Sequence, residues 1–133
     1  MSELEKIETL NAPQAIGPYS QGIAVINASF IFVSGQLPVD PSTGKLVEGD
    51  IKEMTKQVIN NLEAILVAGG SSLQQVVRTD VFLKDIKKDF ALMNEEYAKR
   101  FGSPAPARQT IQVSELPMGS PIEISCIAVR PVP

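Results

Sequence analysis

An α+β fold, built as a six-stranded mixed sheet with two helices on one face, is what three observations in this sequence predict. Short runs rich in Val, Ile and Phe recur at strand length. Two longer stretches carry apolar residues at helical spacing, and each lies between strands. The ten Pro and nine Gly cluster at the boundaries of these segments. The order reads β-β-β-α-β-α-β-β over one domain, residues 1–133, with no repeat, linker or low-complexity tract.

Glu5 to Leu10 is a short strand ended by Asn11-Ala12-Pro13. Tyr19 to Ile26 and Ser29 to Gly35 are strands joined at Asn27-Ala28, the signature of a tight hairpin. Pro38 to Gly49 is a loop, because Asp40-Pro41-Ser42-Thr43-Gly44 carries dense turn chemistry. Asp50 caps a helix, with Glu53 placed as in a capping box. Its stripe is Ile51, Met54, Val58, Leu62, Ile65 and Leu66, and Gly69-Gly70 stops it. Val76 to Leu83 is the next strand. Asp85 or Asp89 starts a second helix with the stripe Phe90, Met93, Tyr97 and Phe101, closed by Gly102. Ala107 to Val113 and Ile122 to Val129 complete the sheet.

Right-handed crossovers put both helices on the same face. Yet Phe30-Ile31-Phe32-Val33 is apolar on both sides of the pleat, and Ile122 to Val129 nearly so. Such strands need cover on both faces. A second copy of the chain, packed on the uncovered face, is the economical source of it.

Composition narrows the chemistry. The 44% hydrophobic and 20% charged residues match a soluble globular protein. The net charge of −3 comes without a basic block, since Asp85 and Asp89 dilute Lys84, Lys87 and Lys88, so a nucleic-acid partner is not expected. There is no His, no Trp and one Cys. That excludes Ser/His/Asp and Cys/His catalysis and any His/Cys metal site, so no metal is expected. Cys126 reads as a small core residue. No phosphate-loop or dinucleotide-binding glycine pattern occurs. Met1-Ser2-Glu3-Leu4-Glu5 lacks the features of a secretory signal, and no apolar run reaches membrane-spanning length. A reducing, cytoplasmic location is the expectation.

Two charges stand among strand formers: Arg108 after Pro106-Ala107, and Glu123 between Ile122 and Ile124. On the strand from Arg108, Ile111 and Val113 are expected to meet the helices, leaving Arg108, Thr110 and Gln112 on the partner face. Glu123 falls on the partner face as well. A partly desolvated guanidinium can grip a carboxylate through two parallel hydrogen bonds, or serve as half of an interface ion pair. The carboxylate of Glu123 can pair with a cation, or hold and activate a water. Whether the two share one cavity within a chain or meet across an interface is open at this level. Tyr19, at a strand start, is either a pocket wall or interface packing. Ser34-Gly35-Gln36 either offers backbone N–H groups to an anion or simply ends a strand. Asn94 either satisfies nearby backbone groups or touches a ligand.

Taken together, several motifs resemble the RidA/YjgF family of enamine/imine deaminases: Ala15-Ile16-Gly17-Pro18-Tyr19-Ser20-Gln21, Val33-Ser34-Gly35-Gln36-Leu37-Pro38 and Asp40-Pro41-Ser42-Thr43-Gly44. So do Val81-Phe82-Leu83-Lys84-Asp85, Asn94-Glu95-Glu96-Tyr97, Pro106-Ala107-Arg108 and Ile122-Glu123-Ile124. The resemblance implies a chorismate-mutase-like fold, a homotrimer with clefts between subunits, and a last strand inserted between the third and the fourth. It implies hydrolysis of 2-aminoacrylate-type enamines and their imines to 2-keto acids and ammonia, without a cofactor. It implies that Arg108 binds the substrate carboxylate and Glu123 orients water. Tyr19, Ser34, Asn94 and the Gly35 backbone then line the pocket. Thr110 stands where many bacterial members have Cys, so a backbone carbonyl contact survives and thiol chemistry does not. Two other functions stay open: an endoribonuclease or translation inhibitor, as relatives have been described, and a non-catalytic sensor of 2-keto acids.

Overall fold

The computed structural model describes residues 3–131. In chain order it contains β1 (Glu3–Ile7), β2 (Gly22–Ile26), β3 (Ala28–Gln36), β4 (Val39–Asp40), β5 (Lys45–Leu46), α1 (Ile51–Ala68), β6 (Val76–Leu83), α2 (Ile86–Arg100), β7 (Ala107–Gln112) and β8 (Ile122–Pro131). This is an α+β fold with two helices and a mixed sheet.

The main sheet has four strands in the order β3-β8-β6-β7. The last strand is inserted between β3 and β6 and is antiparallel to both, while β6 and β7 run parallel through the α2 crossover. A ten-residue strand with alternate positions from Ile122 to Ala128 fully buried suits that central place. The expected six-stranded count is corrected here. β1 and β2 pair with each other as a separate ribbon, and β4 with β5 as another. The Asn27-Ala28 hairpin does not form: Asn27 takes a left-handed φ of 54°, a conformation asparagine tolerates, and β2 leaves to pair with β1. The first strand begins and ends earlier than expected. The 38–49 loop contains the β4/β5 ribbon, its turn held by Asp40, whose carboxylate accepts from the Ser42 N–H (2.8 Å) and hydroxyl (2.7 Å).

Capping residues set the helices as the sequence indicates. The Asp50 carboxylate accepts from the Glu53 N–H at 3.0 Å, and Asp85, not Asp89, does the same for Lys88 N–H at 3.1 Å. Gly69 closes α1 by donating to Ile65 and Leu66, and Gly70 follows with φ of 81°. The core lies between the helices and one sheet face: Val58, Ile59, Leu62 and Leu66 of α1, and Met93 and Tyr97 of α2, meet Val33, Val81, Leu83, Ile122, Ile124 and Cys126. Two stripe residues depart from expectation. Ile65 is partly exposed, its place in the core taken by Ile59, and Phe90 lies outside the core.

The opposite sheet face is open in the single chain. Phe30 is 54% exposed and Phe32 75%, against about 2 kcal/mol available from burying each such ring. Register places Ile127, Asp80, Phe82, Glu123, Gln109 and Ile111 on this same side.

That register overturns the expected orientation of β7. Arg108, Thr110 and Gln112 are aligned with Thr79, Val81 and Leu83, on the helix side. Gln112 accepts from the Ile86 N–H at the start of α2 (3.0 Å). It is Ile111, 42% exposed, that faces away from the helices. Among the described residues no helix is long and apolar enough to cross a membrane.

Candidate functional site

Arg108 enters β7 at the edge of the sheet, beneath α2. Residues 90, 94 and 97 of α2 recur at helical spacing and so share one face, which is turned to this arginine. Its Nη1 donates to Asn94 Oδ1 at 2.6 Å. Three rings surround the guanidinium carbon, Tyr97 at 4.8 Å, Tyr19 at 5.8 Å and Phe90 at 5.9 Å from their centroids. Burial pulls the Arg108 pKa below its ordinary value, with Tyr97 and Tyr19 opposing. It stays a cation at neutral pH, because arginine starts so high. Among the described residues it has no carboxylate partner.

Tyr97 is fully buried and shares a 2.7 Å hydrogen bond with the buried Thr79 hydroxyl. Burial pushes its phenol up to about 12, although the Thr79 bond and the Arg108 charge act the other way. It is therefore a fixed neutral floor for the guanidinium. Tyr19 is held from the other side. The Ser20 N–H donates to Pro106 O at 3.1 Å, and the Ser20 hydroxyl bonds to Ala105 O. The Tyr19 oxygen accepts from the Ile16 N–H at 3.3 Å, leaving its own hydrogen free to donate. Gln21 ties down the preceding loop, bonding Thr9 N–H at 2.8 Å and Pro13 O at 2.6 Å.

These groups enclose a cavity of about 290 Å³ lined by Ile16, Gly17, Tyr19, Phe90, Asn94, Arg108 and Thr110. Thr110 Oγ1 is buried and is the one such side-chain oxygen or nitrogen among the described residues without a hydrogen-bond partner. The cavity thus presents a guanidinium, a phenol and an unengaged hydroxyl against apolar walls. Such a donor-rich site suits a small anion with several acceptor oxygens.

Glu123, Ser34 and Gly35 lie elsewhere. Glu123 follows the fully buried Ile122, so it points to the open face, in register with Phe82. A β-bulge between Val33 and Gln36 turns Ser34 and Gly35 out of the ladder. A Cβ on residue 35 would come 2.8 Å from the Glu123 carboxyl carbon, so only glycine lets that carboxylate occupy its position. Ser34 O accepts from the Gln36 side chain at 3.1 Å. Among the described residues Glu123 forms no ion pair.

Of the seven residues singled out in the sequence, Tyr19, Asn94, Arg108 and Thr110 meet in one cavity under α2. Ser34, Gly35 and Glu123 gather on the other side of the sheet. One chain brings neither group to the other. Phe90, Tyr97 and Ile16 were missed as site residues. The first two stood in an apolar stripe read as core, although their spacing from Asn94 placed them on its face. Among the described residues no three His, Cys, Asp or Glu side chains cluster as a metal site would require.

The family profile described as "Endoribonuclease L-PSP" matches residues 9–130. A RutC family protein of Pyrococcus horikoshii, PH0854, is 52% identical over 126 residues, 95% of this chain and 98% of its own. The human protein named 2-iminobutanoate/2-iminopropanoate deaminase is 47% identical, over 93% of this chain and 88% of its own. The crystal structure of RidA from an Antarctic Psychrobacter superposes with a TM-score of 0.73 at 42% identity, covering 95% of this chain and 99% of that one.

Proposed function

This chain belongs to the RidA/YjgF family, and from that premise we propose that it hydrolyses reactive 2-imino and 2-enamino acids to 2-keto acids and ammonia. The substrates are 2-aminoacrylate, 2-aminocrotonate and their imine tautomers. The working unit is a homotrimer. In each cleft the Arg108 side of one copy faces the Glu123 side of its neighbour. The observation that carries this reading is the division of the charged residues between the two faces of one sheet, each unpaired in the single chain.

The substrate carboxylate lies on the guanidinium of Arg108, whose Nη1 is steadied by Asn94. The hydroxyls of Tyr19 and Thr110 complete its hydrogen bonds. An enamine first takes a proton at C3 and becomes the imine. C2 of the imine, conjugated to the carboxylate, is then open to attack. Glu123 holds a water against C2 and accepts a proton as the C–O bond forms. The nitrogen gains protons and the C–N bond of the tetrahedral adduct breaks; ammonia leaves with the electron pair as the adduct hydroxyl gives up its proton and closes the C=O bond of the keto acid. Water is the only other reactant, so orientation supplies most of the acceleration.

The test couples a serine or threonine dehydratase to the purified protein and follows keto acid release with and without it. Acceleration is expected, lost in Arg108→Ala by at least about a hundredfold with the fold retained by circular dichroism. Glu123→Gln should still bind 2-ketobutyrate while turnover falls about a hundredfold. Full activity in Arg108→Ala overturns the proposal, and 2-ketobutyrate binding with no turnover by the wild type identifies a sensor instead. The description of the matching family profile favours one further reading, endoribonuclease. The absence of His and the net charge of −3 argue against it. RNA degradation lost together with imine turnover in Arg108→Ala would support that reading.

A further inference from the structure

A second cavity, of about 330 Å³, lies at the N-terminal ends of the two helices. Ile51 and Met54 of α1, Leu92 of α2 and Pro121 before β8 supply apolar walls, and Asp50, Lys88 and Asp89 supply charge. None of these residues touches the Arg108 cavity.

Asp89 is the anomaly. It is only 7% exposed. Its backbone N–H is satisfied by Asp85 O at 3.0 Å. Yet among the described residues its carboxylate accepts no hydrogen bond and joins no ion pair. Burial raises its pKa, with Lys88 lowering it and Asp85 raising it further. Its oxygens, unlike Thr110 Oγ1, are not buried atoms and open on the cavity, where no protein donor meets them. A ligand bringing N–H donors would take the place of water on them.

The neighbouring charges restrict what the ligand can be. Lys88 is exposed and, among the described residues, its ammonium has no carboxylate partner. The N-terminus of the 18-residue α1 adds an electropositive end. The Asp50 carboxylate beside it is already engaged by the Glu53 N–H. A simple amine would satisfy Asp89 but meet Lys88 unfavourably. A simple carboxylate would suit Lys88 but leave Asp89 unpaired. A zwitterion answers both, and Ile51, Met54, Leu92 and Pro121 provide a bed for an aliphatic side chain.

We propose that this cavity is a second ligand site, taking a free aliphatic α-amino acid with its ammonium on Asp89, its carboxylate towards Lys88 and the start of α1, and its side chain against Ile51, Met54 and Leu92. The site is independent of the Arg108 cavity and of the reaction assigned to it.

Calorimetric titration of the whole protein with L-leucine tests the proposal. Binding at millimolar Kd or tighter is expected. Asp89→Asn and Lys88→Glu should each weaken it about tenfold, or about 1.4 kcal/mol, and Arg108→Ala should leave it unchanged. Because Lys88 is exposed, Lys88→Glu retains the fold even if Asp89→Asn does not. In the Arg108→Ala background, where the first cavity no longer takes up keto acids, 4-methyl-2-oxopentanoate and isoamylamine should each bind about tenfold more weakly than leucine. No heat of binding up to about 10 mM leucine, loss of binding in Arg108→Ala, or indifference to Lys88→Glu would overturn the proposal.

Discussion

The guanidinium of Arg108 is held before any ligand arrives. Asn94 fixes one nitrogen and three rings limit its motion, so little side-chain entropy remains to be lost on binding. Thr110 makes the complementary case. Its hydroxyl is buried and unpartnered, so Thr110→Val should leave the unfolding temperature equal or higher, since no hydrogen bond is removed. The same change should weaken 2-keto acid binding by about 1 kcal/mol, near fivefold. A Kd identical to wild type would show that this hydroxyl does not reach the ligand. Two further residues set an alkaline limit. Burial pushes Cys126 from 9.0 to about 12 and Tyr97 from 10.0 to about 12. Both keep their protons longer in the folded chain than in the unfolded one, so the unfolded state is favoured as pH rises. Urea midpoints should therefore fall from about pH 9 towards about pH 12, and Cys126→Ala should delay the onset. A flat profile would show that these groups ionise alike in both states.

At the scale of elements, α2 and β8 divide the work. α2 aims Phe90, Asn94 and Tyr97 at the edge strand, and β8 carries Glu123 on the face turned away from the helices. The bulge in β3 then brings Gly35 under that carboxylate. Gly35 has no left-handed φ, so Gly35→Ala is acceptable to the backbone and acts only through its contact with Glu123. Turnover should drop at least about tenfold, less than in Glu123→Gln, with an unfolding temperature close to wild type. Wild-type turnover would show that the carboxylate tolerates displacement. The helix boundaries were legible because Asp50, Asp85 and Gly69-Gly70 act locally through their own backbones. The pairing of β2 was not, because a hairpin signal at Asn27-Ala28 competes with a distant strand, β1, that local chemistry does not weigh.

For the whole molecule, the open face with Phe30, Phe32 and Ile111 is where the proposed trimer would pack a second copy, and it is the face that carries Glu123. If clefts form between copies, Arg108→Ala and Glu123→Gln chains refolded together should regain activity that neither has alone. Random mixing puts both native residues in about a quarter of clefts. Recovery near that fraction would support shared sites, and none at all, with mixed assemblies confirmed by native mass spectrometry, would mean each chain works alone. Monomeric protein at working concentration would remove the trimer from the proposal.

Local chemistry alone determined the helices, the positions of most strands and the identity of the charged residues worth watching, Arg108 and Glu123 above all. Only the tertiary structure decided which way β7 faces. Alternation along a strand says which residues share a side, but with apolar residues on both sides it cannot say which side meets the helices. Ile111 reads as core by its hydrophobicity, yet the pairing of β7 with β6 turns it outward and sends Arg108 in. That single choice of face separates the guanidinium from the carboxylate within a chain, because alternate residues of a pleated strand must point to opposite sides of the sheet.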